Sequence, residues 1–298
     1  MTRALVLGGG GPVGIGWESG LAVGLADGGV DLAAADAFYG TSAGSFVGAE
    51  LALGLDMART ATHLLATSVL DAADANGPFA AESMAGRLQA LTEAIGSPVF
   101  AGLSPQEAGR ALGRLALEAD VPTEEDWLDL FGLFHEREWP SRFACTAVEA
   151  VSAEFVVWRS ESRADLQRAV ASSCAVPIVC PPVTIAGRRY MDGGVRSSLN
   201  ADLAAGHDQV VVISVSPLAV PSGTGDPVSE AFPGGGAEIR ALRSSGSAVE
   251  VIEPNAEFLE ISGWGVSLMD VTKAAAAYEA GARHGYNEAR RIADLWEP

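Results

Sequence analysis

The sequence predicts an α/β fold, a three-layer α/β/α sandwich with a mainly parallel central sheet and a helical insertion. Short apolar runs typical of buried strands alternate with segments of helical periodicity. Two glycine-containing turns, at residues 8–14 and 40–44, each stand between such a strand and such a helix. With 298 residues and 48% hydrophobic composition, one large domain or two smaller ones would fit, and we favour a single domain over residues 1–298.

The first strand-turn-helix unit opens the chain. Residues 3–7 predict a buried strand, GGGGPVG a turn at residues 8–14, and Ile15–Ala26 a helix. A second unit follows, because Asp36–Thr41 predicts a short strand and the small residues from Ser42 onward predict a helix. Repeated units of this kind indicate parallel strands with helices packed on the sheet.

A helical insertion is predicted between about residues 55 and 140, where the pattern changes to helices. Two of these helices have start sequences that resemble capping boxes, at Ser104–Glu107 and at Thr123–Asp126.

The remaining elements complete the sandwich. Residues 218–236 are rich in Pro, Gly and Ser without periodicity, which predicts a long surface loop that is either a lid or a linker. The patterns on either side predict two strands within Arg142–Trp158, a helix at Leu166–Ala175, strands at Arg188–Met191, Gln209–Ser216 and Val249–Glu253, and a long helix from about Asp270 to Trp296.

Charge restricts the partners. The chain has 19 basic and 38 acidic residues, a net charge of −19, so attraction to nucleic acid or to an anionic membrane surface is not expected. Any lipid contact must be local, apolar and at most transient. The acidic residues lack grouped ligand spacing, so neither a metal nor another cofactor is expected. The sequence gives no prediction of the oligomeric state.

Cysteine usage and hydropathy predict the compartment. Cys145, Cys174 and Cys180 form neither a metal-ligand spacing nor an even disulfide set, which predicts buried free thiols in a reducing compartment. The first strand begins at residue 3, and no stretch reaches the roughly 20 apolar residues of a membrane span. We therefore expect no signal peptide and a soluble cytoplasmic protein.

The glycine-rich turn admits two functions, because its backbone N–H groups can bind a phosphate or a developing oxyanion. Gly9-x-Gly11-x-x-Gly14 satisfies the dinucleotide fingerprint, which also needs an acidic residue about 20 positions later at the end of the second strand. Asp31 lies at that distance but precedes the predicted strand.

The second turn favours the oxyanion. Gly40-Thr41-Ser42-Ala43-Gly44 is a G-x-S-x-G nucleophile elbow between a predicted strand and a predicted helix. A nucleotide-binding protein has no need for this second sharp turn. Ser42 is therefore the candidate nucleophile, and it needs a base within hydrogen-bond reach.

Histidine is not the expected base. His63 and His135 fall within the predicted insertion, and His284 lies inside the terminal helix, where structural or solvated roles are expected. His207 precedes the strand at Gln209, at the end of the strand opposite to that where sites form. A triad through His207 stays an alternative.

An aspartate is the remaining candidate. Asp192 ends the strand that begins at Arg188, and Gly193-Gly194 after it allow a close approach of the turn. Active sites collect at the carboxyl edge of a parallel sheet, where the end of such a strand is expected. The same triplet at Asp27–Gly29 follows a helix and reads as a C-cap.

Together these motifs resemble those of the patatin-like phospholipases, which carry a G-G-G-x-(R/K)-G loop, G-x-S-x-G and D-G-(G/A). Gly9–Gly14, Gly40–Gly44 and Asp192–Gly194 match them in order, and the resemblance covers nearly the whole chain. Ala169–Pro182 resembles the family's small-residue helix and proline turn.

The resemblance implies a Ser-Asp dyad without histidine, in which Ser42 attacks the ester carbonyl and Asp192 accepts or positions its proton. Amides of Gly9, Gly10 and Gly11 would stabilise the oxyanion, and water would hydrolyse the acyl-enzyme. The implied substrate is a lipid or small ester with an ester-linked acyl chain. Because an aspartate with a pKa of about 3.9 is a weak base, Asp192 must be desolvated or act mainly by orienting Ser42.

One position departs from the family pattern, because Val13 replaces the basic residue of the loop. Arg196 either substitutes for that cation in space or is an ordinary surface arginine. The departure weakens the expectation of a phospholipid substrate more than that of ester hydrolysis.

Further alternatives stay open besides the His207 triad. In place of an esterase, the sequence also allows a nucleotide-binding protein that uses the Gly9–Gly14 loop. It equally allows a catalytically idle relative that binds lipids or partner proteins. A set of apolar side chains in the insertion either lines an acyl pocket or is ordinary core: Leu64, Leu65, Val99, Phe100, Trp127, Leu128, Phe131 and Phe134.

Overall fold

An eight-stranded sheet forms the centre of the computed structural model, which describes residues 1–58, 77, 79–218 and 235–296. The strands are hydrogen-bonded in the order β5-β6-β3-β2-β1-β7-β8, and β4 also pairs with β3. Their bounds are β1 Arg3–Leu7, β2 Ala37–Gly40, β3 Phe143–Glu149, β4 Phe155–Trp158, β5 Val183–Ile185, β6 Arg188–Asp192, β7 Gln209–Ile213 and β8 Ala248–Ile252.

The sheet has a parallel part and an antiparallel part. Strands β3, β2, β1, β7 and β8 are parallel neighbours, whereas β4 and β6 run antiparallel to β3, and β5 runs antiparallel to β6. The α/β fold class is confirmed. The three-residue strand β5 is an addition, since a run this short gives no periodicity.

Helices cover both faces of the sheet. The two predicted capping boxes are present, with Ser104 and Thr123 each exchanging hydrogen bonds with the third residue of its helix. Among the described helices, none is both long and apolar enough to cross a membrane. The helices are α1 Gly11–Asp27, α2 Ala43–Leu53, α3 Ala81–Ile95, α4 Pro105–Glu118, α5 Glu124–Asp129, α6 Leu166–Ser173, α7 Gly236–Ser244, α8 Ala256–Ile261 and α9 Ala274–Trp296.

Side-chain alternation along β1 defines three layers. Leu5 and Leu7 pack into the core that contains residues of α1, α2 and α9. Ala4 and Val6 point to the other face, into a smaller core that includes Ile239 of α7. The sheet is therefore buried on both sides, as the continuous apolar character of β1 predicts.

Glycines bring α1 and α9 into backbone contact. A Cβ added at Gly20 would lie 2.0 Å from Tyr278 O, and one at Gly24 would lie 2.0 Å from Ala282 O. Real side chains cannot occupy such positions, so the close packing of these two helices depends on glycine. The helix that begins in the glycine-rich turn is thereby fixed against the terminal helix.

Parts of the predicted insertion and loop lie outside the described residues. The described part of the insertion contains α3, α4 and α5, and His63, Leu64 and Leu65 lie outside it. Most of the predicted loop at 218–236 also lies outside, since residues 219–234 are not described. The three cysteines are free, as predicted, and burial raises the pKa of the Cys180 thiol to about 12.

Candidate active site

Ser42 lies on a sharp turn between β2 and α2. Its backbone has φ 52° and ψ −120°, a region that side-chain-bearing residues rarely adopt. A Cβ at Gly40 would lie 2.4 Å from Gly44 O, and one at Gly44 would lie 2.2 Å from Leu7 O. Both glycines of the G-x-S-x-G motif are therefore required by close backbone approach, as expected for a nucleophile elbow.

The strained backbone of Ser42 is fixed on both sides. Its N–H donates to Ser173 Oγ at 3.0 Å, at the end of α6. Its carbonyl accepts hydrogen bonds from Ser45 Oγ at 2.7 Å and from Cys174 Sγ at 3.2 Å. These hydrogen bonds offset the energetic cost of the unfavourable φ. They also make Ser173 and Cys174 part of the site.

Asp192 reaches this turn through an antiparallel strand, a direction that differs from the parallel order predicted by the sequence. Asp192 pairs with Ala147 of β3, whereas Gly40 of β2 pairs with Cys145. Strand β4 pairs with residues 145–148, so it occupies the edge of β3 opposite to both β2 and β6. Strand β6 therefore meets β3 just beyond the end of β2, and Asp192 faces the turn that carries Ser42.

The Asp192 carboxyl is buried beside the Ser42 hydroxyl. Only 5% of Asp192 and 6% of Ser42 is exposed to solvent. Burial raises the pKa of Asp192 to about 7, while hydrogen bonds from the Gly194 N–H and from the Ser42 side chain act in the opposite direction. The Gly194 N–H donates to Asp192 Oδ1 at 2.7 Å. The turn that directly follows β6 therefore orients the Asp192 carboxyl.

A buried polar network joins the two turns. Asn200 Nδ2 lies within hydrogen-bond distance of Thr41 Oγ1 (3.0 Å), Ser197 O (2.8 Å) and Gly193 O (3.4 Å). Thr41 Oγ1 in turn shares a hydrogen bond of 3.0 Å with Thr146 Oγ1 of β3. The sequence did not predict this network. The only local signal was that Asn200 lies eight residues after Asp192.

The glycine-rich turn passes directly over Ser42, since a Cβ added at Gly9 would lie 3.3 Å from Ser42 Cβ. The Gly9 N–H already donates to Ser198 O at 2.8 Å. The N–H groups of Gly10 and Gly11 have no acceptor among the described residues. Of the three amides predicted for an oxyanion, the structure thus leaves two unoccupied.

The amide of Ala43 is a further donor that the sequence analysis did not name. It is the first residue of α2, and within the described part of the chain its N–H has no acceptor. An amide that follows a nucleophile is a common oxyanion donor on elbows of this type. The signal was therefore available in the motif itself.

Buried groups below the loop fix its position. The Gly8 N–H donates to Glu18 Oε1 at 3.1 Å, and burial raises the pKa of Glu18 well above its ordinary value. Val13 is fully buried at the start of α1, and its N–H donates to Leu268 O at 3.2 Å. Val13, at the position of the family's basic residue, therefore packs in the core of this chain.

Arg196 does not supply the missing cation. Its guanidinium hydrogen-bonds Asn200 Oδ1 at 2.7 Å and both carboxylate oxygens of Asp202, and it lies over the ring of Phe155. These partners occupy Arg196 outside the Ser42–Asp192 contact.

None of the three described histidines contacts the candidate pair. His135 bonds Gln167, and His284 packs against Trp17 on α1. His207 packs on Tyr39 and precedes β7, at the edge of the sheet opposite to Ser42. The fourth, His63, lies outside the described residues.

Asp31 does not act as the acidic residue of a nucleotide site. Its carboxylate accepts from the Ala33 N–H at 2.8 Å and caps the short helix Leu32–Ala34. The side chain is therefore used locally, at the end of α1 far from the glycine turn.

Aromatic residues of the insertion pack as core. The rings of Phe131 and Phe134 contact Phe46, one helical turn after Ser42, and the Trp127 indole N–H donates to Ala171 O at 3.0 Å. Val99, another predicted pocket residue, is 69% exposed. The core alternative thus holds for these aromatic residues.

Comparison with known proteins adds a family. The profile of the patatin-like phospholipase family matches residues 5–205, which supports a lipid acyl hydrolase. No curated protein matches the chain. Among solved structures, VipD from Legionella pneumophila is similar, with 16% identity, TM-score 0.44, and coverage of 99% of this chain and 67% of VipD. The type III effector protein ExoU is 13% identical with TM-score 0.36, and the match covers 96% of this chain and 53% of ExoU. Because the family profile covers more than half of its length, the chain belongs to the patatin-like phospholipase family.

Proposed function

We propose that the protein is a serine esterase that hydrolyses ester-linked acyl chains of lipids through a Ser42–Asp192 dyad and an acyl-enzyme. The observation that carries this proposal is the hydrogen bond between the side chain of Ser42, whose backbone is strained, and the buried carboxyl of Asp192, whose pKa is raised to about 7 by burial. An unperturbed aspartate is too weak a base for this role, and desolvation removes that objection.

In the first half-reaction, Ser42 Oγ attacks the ester carbonyl carbon while its proton passes to Asp192. The new C–O bond places negative charge on the carbonyl oxygen. Collapse of this tetrahedral intermediate breaks the bond to the leaving alcohol, which takes the proton from Asp192. The acyl group remains on Ser42.

In the second half-reaction, water attacks the acyl carbon and gives a proton to Asp192. The second tetrahedral intermediate releases the fatty acid, and Ser42 regains the proton. The protein supplies both steps with the same two side chains, so no cofactor is required.

The amides of Gly10, Gly11 and Ala43 are the proposed oxyanion donors. Gly10 and Gly11 follow Gly9, which lies next to Ser42, and Ala43 follows Ser42; the three N–H groups have no acceptor within the part of the chain that the structure describes. Fixed backbone donors stabilise charge that develops in the transition state without needing to reorganise. The amide of Gly9, which Ser198 occupies, is the weaker candidate.

The substrate class follows from family membership and from the loop. A lipid or small ester has the ester carbonyl that the Ser42–Asp192 dyad would attack. The buried Val13 supplies no cation for a phosphate group. We therefore expect the ester bond, and not a phosphate head group, to determine recognition at this loop. The free cysteines support a reducing compartment such as the cytoplasm.

The test compares Ser42→Ala with Ser160→Ala, a change at an exposed serine. Each purified chain is assayed on a panel of chromogenic acyl esters, and each is treated with a fluorescent fluorophosphonate. We expect Ser42→Ala alone to lose hydrolysis and labelling. Activity of Ser42→Ala within a few-fold of the unmodified chain would refute the dyad, and absence of labelling of the unmodified chain would support the idle alternative.

A further inference from the structure

A loop with exposed apolar residues lies next to the proposed oxyanion donors. It spans residues 262–269, which we call the Trp264 loop, and connects α8 to the short helix before α9. Trp264 is 74% exposed and Val266 is 87% exposed. Two exposed apolar side chains two positions apart give the tip of this loop an apolar surface.

The backbone holds Trp264 outward at a cost. Gly263, Trp264 and Gly265 have φ values of 57°, 58° and 98°, all in the left-handed region. Glycine adopts this region freely, whereas a bulky residue there is a conformational outlier. The Trp264 N–H donates to Leu259 O at 2.8 Å, which fixes the outlier to the end of α8. The display of the indole is therefore a property of the ordered loop.

The base of the same loop contacts the glycine-rich turn. Leu268 O accepts from the Val13 N–H, and a Cβ added at Gly11 would lie 2.7 Å from both Leu268 O and Met269 Sδ. The loop follows α8, and its contacts with Gly11 and Val13 place its base at the carboxyl end of β1, where the glycine turn and Ser42 lie. The exposed tip and the candidate active site thus share one edge of the molecule.

Charge selects the kind of surface. The net charge of the chain is −19, which opposes contact with anionic lipid. Near the loop, Asp270 faces Lys273 and Glu257 faces Arg283, so no basic cluster is available there among the described residues. Indole rings prefer the boundary between lipid and water, where the apolar ring is buried and the N–H stays hydrated.

We propose that the Trp264 loop docks the protein on the surface of uncharged or zwitterionic lipid aggregates and thereby presents Ser42 to acyl chains at that surface. This inference rests on the proposed function for its choice of lipid. The docking contact is apolar and uses Trp264 and Val266 as its inserted side chains.

The test measures docking in the Ser42→Ala chain, so that the result does not depend on catalysis. This chain is floated with phosphatidylcholine vesicles, with and without the added changes Trp264→Ser and Val266→Ser. The matched control is Tyr286→Ser, which removes another exposed aromatic residue (61%) beside Gly24, at the far end of α1. Burying two apolar side chains of this size changes partitioning by about tenfold or more.

We expect the vesicle-bound fraction to fall by about tenfold in the double variant, to stay unchanged in Tyr286→Ser, and to be insensitive to added salt. Equal binding of the double variant, or binding that requires anionic phosphatidylserine, would overturn the proposal. Sedimentation of a dimer that the double variant converts to a monomer would also overturn it, since a second copy would then cover the loop.

Hydrolysis separates this proposal from the proposed function. In the otherwise unmodified chain, the double variant should lower the ratio of vesicle hydrolysis to soluble short-ester hydrolysis by about tenfold. If docking depends on Trp264 but no ester is hydrolysed, only the proposed dyad is contradicted and the docking proposal stands. Hydrolysis through Ser42 with an unchanged ratio would contradict docking alone.

Discussion

Asn200 donates a side-chain hydrogen bond to Thr41 Oγ1 at 3.0 Å and thereby ties the residue before Ser42 to the segment after Asp192. Asn200 is fully buried and has a left-handed backbone, with φ 51°. Its amide also contacts Gly193 O, the first residue of the turn that orients the carboxyl. The separation between the proposed nucleophile and its base is therefore set by a third side chain.

Replacement of Asn200 by Ala is expected to lower kcat for a short ester by about 10- to 100-fold with a smaller change in KM, because misplaced groups lose transition-state contacts first. The unfolding free energy should fall by about 1–3 kcal/mol, since buried partners lose a hydrogen bond. Asn255→Ala, which removes the N-cap of α8, is the control for stability loss without catalytic loss. An Asn200→Ala chain with unchanged kcat would contradict the positioning role.

The pH dependence of kcat/KM should have an inflection near pH 7. The proposed base must be ionised, and burial raises the pKa of Asp192 to about 7, so activity is lost as the pH falls through that value. An ordinary aspartate would instead give an inflection near pH 4. A profile that is flat between pH 5 and 8 would show that Asp192 does not act as the base.

Asp192→Asn should separate activity from stability. We expect kcat/KM to fall by about several hundred-fold or more. Because the folded pKa is raised above the unfolded value of 3.8, the wild-type carboxyl destabilises the fold progressively as the pH rises from about 4 through 7. The asparagine variant should therefore have a higher Tm than wild type at pH 8, and the difference should shrink at pH 5. Differential scanning calorimetry at both pH values measures this, and a lower Tm of the variant at pH 8 would contradict it.

Backbone strain at Ser42 gives a fourth prediction. Ser42→Gly relieves φ 52°, whereas Ser42→Ala keeps a Cβ in the same conformation, so glycine should be the more stable variant by about 1 kcal/mol. Ala43→Gly, in regular helix, should instead lower the Tm. Thermal unfolding of the three variants decides, and a Ser42→Gly chain less stable than Ser42→Ala would exclude strain at the elbow.

The contact between α1 and α9 gives a fifth prediction. Gly20→Ala places a Cβ 2.0 Å from Tyr278 O, so α1 and α9 must separate, and we expect a loss of about 3 kcal/mol or more. Gly86→Ala is the matched control, because that glycine lies inside α3 with no atom within 4 Å of the added Cβ. The control should raise stability by about 0.5–1 kcal/mol. Equal Tm values for both variants would refute the close packing.

Local patterns predicted the elements well and the pairings less well. The capping boxes at Ser104 and Thr123 are confirmed, because a cap depends on residues three positions apart. The direction of β6 was not predictable, since hydrophobic patterning reports that a strand exists and not which neighbour it pairs with. The use of the Gly9 amide by Ser198 depends on a contact across 189 positions of sequence, which no local motif reveals.

Long-range contacts also explain what the sequence analysis left out of the site. Ala43 lies within the G-x-S-x-G motif and could have been named from it, whereas the contacts of Asn200 and Ser173 appear only when the turns meet. The proposed nucleophile and base were identifiable because each stands at the end of a strand beside glycines. Whether the two side chains catalyse ester hydrolysis stays a prediction.

The backbone contact between α1 and α9 has a consequence for timing during synthesis. The glycine turn precedes α9 by more than 250 residues, so α1 finds its packing partner only after residues 274–296 have left the ribosome. A nascent chain that lacks α9 would therefore carry Ser42 before the glycine-rich turn beside it is fixed. The proposed ester hydrolysis should therefore begin only after α9 has been synthesised and has packed against α1.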